Sequence, residues 1–278
     1  RAQFDEAAIW LERANAAVIG LGDQAGASAT LLELARFHFW RGDADLTQYF
    51  AEASLAMAGP TGDPALVREA YSHLSHAARM RRDFPLARSW LERSLELARA
   101  QGDRLSEATT LTNMAVGAFQ QGHLDEALTL LNEALPVYQE LGARYQYARA
   151  SQLLALVQMG RGAPAEALRI HGRSLAMLRE LGARAEVAEG LIGMMAAAHR
   201  LATGPNDLAF ALRLAAAAQR LSAELERPIP STLQPWIDAL VAAANEALGP
   251  AADALWAEGA ALPWEEAVSY ALAGRPGG

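Results

Sequence analysis

Apolar residues recur along the chain in steps of three and four. Over residues 106–121, Leu111, Met114, Ala115, Ala118 and Phe119 fall on one face of a helix, and Leu124, Ala127, Leu128, Leu131, Ala134, Leu135 and Tyr138 do the same over 124–141. Alanine, leucine, glutamate and arginine fill these segments, and all are strong helix formers. No stretch keeps a period of two, so no sheet is expected. Segments of about 18 residues, each a helix of about 27 Å at 1.5 Å per residue, are predicted to follow one another between short turns.

The turns are periodic. Gly-Asp or Gly-Ala stands at Gly22, Gly62, Gly102, Gly142 and Gly182, 40 residues apart each time. A second marker falls half a period on, at Gly42-Asp43, Arg82-Asp83, Gly122-His123 and Gly162-Ala163. Each period is therefore a pair of helices, with glycine supplying the left-handed residue that ends a helix. Small residues form columns: Ala35, Ser75, Ala115 and Ala155; then Thr47, Ala87, Ala127 and Ala167; then Ser54, Ser94, Ala134 and Ser174. Large residues run between them, in the columns Leu34, Leu74, Met114, Leu154 and Phe50, Trp90, Leu130, Ile170. Large side chains entering gaps above small ones is what ridge-into-groove helix packing requires.

Small residues at offsets of zero, twelve and nineteen resemble the tetratricopeptide-repeat signature, carried in the third period by Ala115, Ala127 and Ala134 behind Leu111 and Met114. HEAT-type repeats share the period but lack this triad. The resemblance implies an all-α, right-handed α-α superhelix with a C-terminal helical cap. The units are longer than the usual 34 or so residues. The proline that usually closes a repeat is absent, with Gln139 in one such place, and Met195 interrupts the small column of the fifth unit. The expected divisions are a partial repeat over 1–22, full repeats over 23–62, 63–102, 103–142 and 143–182, an irregular repeat over 183–226, a capping segment over 227–273 and a flexible tail over 274–278. Phe4-Asp5-Glu6-Ala7 matches Leu124-Asp125-Glu126-Ala127 in register. Residues 1–20 therefore read as the second helix of a pair, and the chain as starting inside a longer protein.

Composition narrows the chemistry. The chain has 278 residues, a net charge of −8 and no cysteine. Thiolate metal sites, disulfides and cysteine nucleophiles are excluded. All 24 basic residues are arginine, which removes a P-loop lysine, a lysine Schiff base and a lysine general base. The acidic balance argues against direct nucleic-acid binding. No charge-free stretch of 18 apolar residues and no signal peptide is present, so a cytoplasmic protein away from the membrane is expected.

The segment from Glu246 to Leu272 resembles the end of the helical-repeat region of large bacterial ATP-dependent transcription regulators of the MalT-like and LuxR type. Trp256-Ala257-Glu258-Gly259 and Glu265-Glu266-Ala267 carry that likeness. It implies a non-enzymatic ligand- or protein-binding module, the sensor region of a larger signalling ATPase or transcriptional regulator. A nucleotide-binding module would lie upstream, with a protein, peptide or small-molecule inducer as ligand. The alternative is a free-standing scaffold for protein–protein interaction. No cofactor and no catalytic residue is expected.

The tetratricopeptide resemblance also implies which residues face the groove. They are Leu32, Arg36, Phe39 and Trp40 in the first full unit, and Glu69, Ser72, His76, Arg79 and Met80 in the second. The third contributes Thr109, Thr112, Val116, Phe119 and Gln120, with Asn113 where related repeats often bond a peptide backbone. The fourth gives Arg149, Gln152, Leu156 and Met159, and the fifth Glu189, Ile192, His199 and Arg200. Three other groups stand out. Glu69, His73 and His76 have a metal-compatible spacing but also suit ordinary helix packing. Arg79, Arg81, Arg82 and Arg88 suit a phosphate or carboxylate, or a solvated turn paired with Glu92 or Asp83. Gly160-Arg161-Gly162 mimics a dinucleotide loop, but no strand precedes it, so it reads as a turn.

Overall fold

The computed structural model describes residues 2–227, 229 and 233–274, with side chains described from residue 9 onward apart from 59–61. The prolines at 228 and 230, the tail beyond 274 and the side chain of Phe4 lie outside these residues. Among the described residues there are fourteen helices and no strand. They are α1 (Ala2–Gly20), α2 (Gln24–Trp40), α3 (Ala44–Thr61), α4 (Pro64–Met80), α5 (Phe84–Ala100), α6 (Arg104–Gln120), α7 (Leu124–Glu140), α8 (Arg144–Gly160), α9 (Pro164–Glu180), α10 (Arg184–Arg200), α11 (Pro205–Glu224), α12 (Gln234–Leu248), α13 (Ala251–Ala261) and α14 (Trp264–Ala273). The chain forms two compact units, residues 1–137 and 138–278.

Local chemistry sets the helix ends. Asp23, Asp43, Asp63, Asp83 and Asp103 each cap a helix, accepting a bond from the backbone N–H of Gly26, Leu46, Ala65, Leu86 and Ser106. This satisfies one of the N–H groups a helix start leaves without an internal partner. At the preceding position the chain turns left-handed, with φ between 64° and 80° at eight glycines from Gly22 to Gly182. Arg82 takes the same conformation at φ 63° with a side chain attached. That geometry costs an L-residue about 1–2 kcal/mol.

In the unit spanning residues 1–137, α1 packs on α2, α2 on α3, and so on to α6. First helices also meet, α2 with α4 and α4 with α6. The small columns are the points of closest approach. Ala35, Ala115, Ala127, Ala134, Thr47 and Ser54 are 0% exposed, and Ser75, Ala87 and Ser94 are buried. Buried hydroxyls find partners across the seams: Ser28 and Ser54 Oγ atoms stand 2.9 Å apart, and Ser94 bonds Thr110 at 3.3 Å. Arg68, almost buried, reaches from α4 to the Asp103 cap of α6 at 2.7 Å.

In the unit spanning residues 138–278, Ala155, Ala167 and Ser174 continue the columns, with Ser174 donating to the Ala148 carbonyl at 2.9 Å. Met195 is fully buried in the small column. The close approach has moved along α10 to Gly190 and Gly193. A Cβ on Gly193 would stand 2.3 Å from the His171 ring, and one on Gly190 2.3 Å from Gln152. The last helices close the stack: α13 lies on α11, α14 on α9 and α10, and α12 on α10 and α11. Phe210, Ile237, Leu240, Val268 and Ala271 are buried in one core, with Trp236, Trp256, Trp264 and Tyr270 packed against it.

Two stability changes follow. Ala127→Leu overpacks a sealed seam and should cost about 1–3 kcal/mol in urea unfolding; an unchanged midpoint would contradict the packing. Arg82→Gly should raise stability by about 0.5–1 kcal/mol, the left-handed strain relieved less the entropy glycine adds to the unfolded chain; a loss would show that no strain is held there.

Candidate binding face

In the first unit the first-helix side chains between the seams are only half consumed by packing. Phe39 stacks on His76 with ring centres 4.6 Å apart and 27° between planes, tying α2 to α4. Trp40 leans on Phe39 at 5.1 Å and remains 45% exposed. Met80, Thr112, Val116 and Phe119 are half-buried, while Arg36, Glu69 and Gln120 are exposed. Ser72 and Thr112 bond back to the carbonyls of Arg68 and Ala108 on their own helices. Leu32 is buried.

Charge is distributed unevenly over this face. Arg36 pairs with Glu33. Burial, followed by the Glu33 charge, raises the Glu69 carboxyl above its ordinary range. His73 is buried behind the face, with its Nε2 4.0 Å from the Glu69 carboxylate and its ring edge-on to His76 at 5.7 Å. Burial, followed by the Arg36 charge, brings the His73 imidazole down to about 4. Glu69, His73 and His76 thus stand close together, but among the described residues no group of three His, Cys, Asp or Glu could hold a metal ion.

Arg79 behaves differently from its neighbours in the basic cluster. Arg81 reaches Asp45 at 2.5 Å, and Arg88 pairs with Glu92 at 2.9 Å and with Glu126. Asp83, a candidate partner for the cluster, is engaged as the cap of α5. Arg79 turns inward and lines a cavity of about 30 Å³ between α4, α5 and α6, together with Ser75, Asn113 and Gln121. Burial brings its guanidinium down to about 10.

In the second unit the corresponding residues are more tightly held. Gln152 is buried and donates to the Glu186 carbonyl at 2.9 Å, because α8 and α10 close over Gly190. Ile192 is buried as well, beside a cavity of about 10 Å³ that Glu189 and Arg227 also line. Tyr145 donates to Glu186 at 2.9 Å, and Arg227 stands 3.4 Å from Glu189 and 3.7 Å from Glu186. Burial raises the Glu189 carboxyl. Leu156, Met159 and His199 are half-buried, and Arg149 and Arg200 are exposed. Gly160–Gly162 is the turn between α8 and α9.

A larger hollow of about 270 Å³ is lined by Tyr138, Gln139, Arg144, Tyr147 and Met177. The sequence pattern did not single it out, since its lining comes from the ends of three helices and follows no single helical period.

Comparison with known proteins gives the class. The tetratricopeptide repeat family model matches residues 66–140 and 106–180. Those residues are tetratricopeptide repeats. BtubC (BKLC) from P. vanneervenii has a similar fold, with a TM-score of 0.62 at 19% identity, covering 82% of this chain and 94% of that one. So does a signal transduction ATPase with numerous domains, from Pyrococcus horikoshii, that carries a tetratricopeptide repeat sensor; the TM-score is 0.60 at 14% identity over 92% of this chain. This chain spans 38% of that protein's length. No curated protein matches the sequence. No helix among the described residues is long and apolar enough to cross a membrane.

A pH dependence follows from His73. Its folded pKa of about 4 lies below the ordinary 6.5, so its contribution to stability is complete above pH 6.5 and is lost as pH falls toward 4. The loss reaches at most about 1.4 kcal/mol per pH unit. Urea midpoints of wild type and His73→Leu at pH 7 and pH 5 should show the variant losing less; equal losses would contradict a buried neutral imidazole.

Proposed function

We propose that this chain is a non-enzymatic binding module that uses the first-helix face of its tetratricopeptide repeats. The observation that carries this is the unspent surface of the first unit. Phe39, Trp40, His76, Met80 and Phe119 supply aromatic and apolar area beside the polar Arg36, Glu69 and Gln120. Apolar area with a few placed polar groups suits a peptide, a protein segment or a small inducer. The module fits the sensor region of a larger signalling ATPase or transcription regulator, in which binding would favour one arrangement of linked modules through differential affinity. Support comes from the likeness to the Pyrococcus ATPase with its repeat sensor, together with the Trp256–Gly259 and Glu265–Ala267 segments. The near-complete coverage of BtubC favours a second reading, a free-standing interaction scaffold.

The face is tested with Phe39→Ala/Trp40→Ala. Immobilised wild type should retain a partner or metabolite from a lysate of the source cells, and the double variant, folded by circular dichroism, should retain at least about tenfold less, as hot-spot aromatics do. Equal retention would overturn the assignment of the face. The two settings are separated by the reading frame ahead of Arg1. The sensor reading predicts a nucleotide-binding loop with its lysine there, and a stop codon favours the scaffold.

A further inference from the structure

Arg79 is a charged group without a counter-charge. Among the described residues no ion pair or hydrogen bond engages its side chain, and no acidic side chain lines the cavity it faces. A guanidinium cannot escape burial by losing its proton at neutral pH, and an unpaired buried charge is costly. The cavity supplies further donors. The Asn113 amide lines it and has no protein partner among the described residues. Gln121 lines it too, with one amide hydrogen given to the Gly117 carbonyl at 3.1 Å. Arg88 adds positive charge at the edge, although its own donors are engaged by Glu92 and Glu126.

The volume selects the guest. About 30 Å³ of space takes two water-sized atoms, since one needs about 10–15 Å³. Two is the number of oxygens in a carboxylate, and a four-oxygen anion is too large. A planar fork also matches a carboxylate through two parallel bonds. We propose that the cavity between α4, α5 and α6 is a carboxylate-binding site in which Arg79 and Asn113 receive the acid group of a ligand. This rests on reading the first-helix face as the binding face, and it names the chemistry that the face selects.

The test is an NMR titration of the full chain, following the side-chain nitrogens of Arg79 and Asn113. Sodium acetate supplies a free carboxylate, an end-blocked hexaglutamate peptide supplies a peptide-borne one, and sodium sulfate at matched ionic strength supplies the competing geometry. A saturable shift with acetate assigns a free carboxylate as guest, and one with the peptide alone assigns an acidic segment; either upholds the site. Arg79→Met should weaken that binding at least tenfold while raising the thermal midpoint of the anion-free protein, which a merely structural arginine would lower. Arg79→Lys, which keeps the charge without the fork, serves if Arg79→Met does not fold, and should also bind more weakly. No saturation with either carboxylate, or sulfate binding as tightly, overturns the proposal. If Phe39→Ala/Trp40→Ala still lowers retention in that case, the binding face stands and only the acid site falls.

Discussion

The close approach of helix backbones at alanine- and serine-sized positions is the constraint from which the rest follows. Where Ala35, Ala115, Ala127 and Ala134 sit, an extra methylene has nowhere to go. Each seam fixes the spacing of two helices, so the large residues above it have set gaps to fill. Hydroxyls in the same columns add directional contacts, as between Ser28 and Ser54. Arginine and carboxylate pairs reach from one repeat to the next, for example Arg88 to Glu126 and Arg144 to Glu180. Being largely exposed, such pairs add little to stability. The seams carry the architecture.

That division of labour leaves the first-helix face of residues 1–137 free to vary. Side chains between the seams are not needed to hold neighbouring helices, and there the chain places Trp40, His76, Phe119 and the inward-turned Arg79. In residues 138–278 the same register is used differently. The shift of close contact to Gly190 and Gly193 brings α10 against its neighbours, and Gln152 and Ile192 are absorbed into the packing. One register position thus serves as surface in one unit and as core in the other.

The repeat was legible because its determinants are local and periodic. The 40-residue spacing of turn residues, the three small columns and the cap aspartates all mark positions whose backbone geometry is set within a few residues. The closing helices were legible from Pro and Gly at their ends. The fate of individual face residues was not, because it depends on the neighbouring helix: nothing near Gln152 in sequence announces the glycine at 190 that lets α10 close over it. Arg79 shows the same limit. It stands in a run of arginines that reads as solvated, and Arg81 and Arg88 do find carboxylates. Its own inward turn depends on the gap left by Ser75, Ala87 and Ala118.

The most direct measurement is a size series at Ala115, with Gly, Ser, Val and Leu variants unfolded in urea. Sealed seams predict that Ala and Ser are the most stable. Gly should fall through backbone entropy, and Val and then Leu through overpacking. A flat response from Ala to Leu would mean that the helices are not held at these positions, and the account of the fold would fail with it.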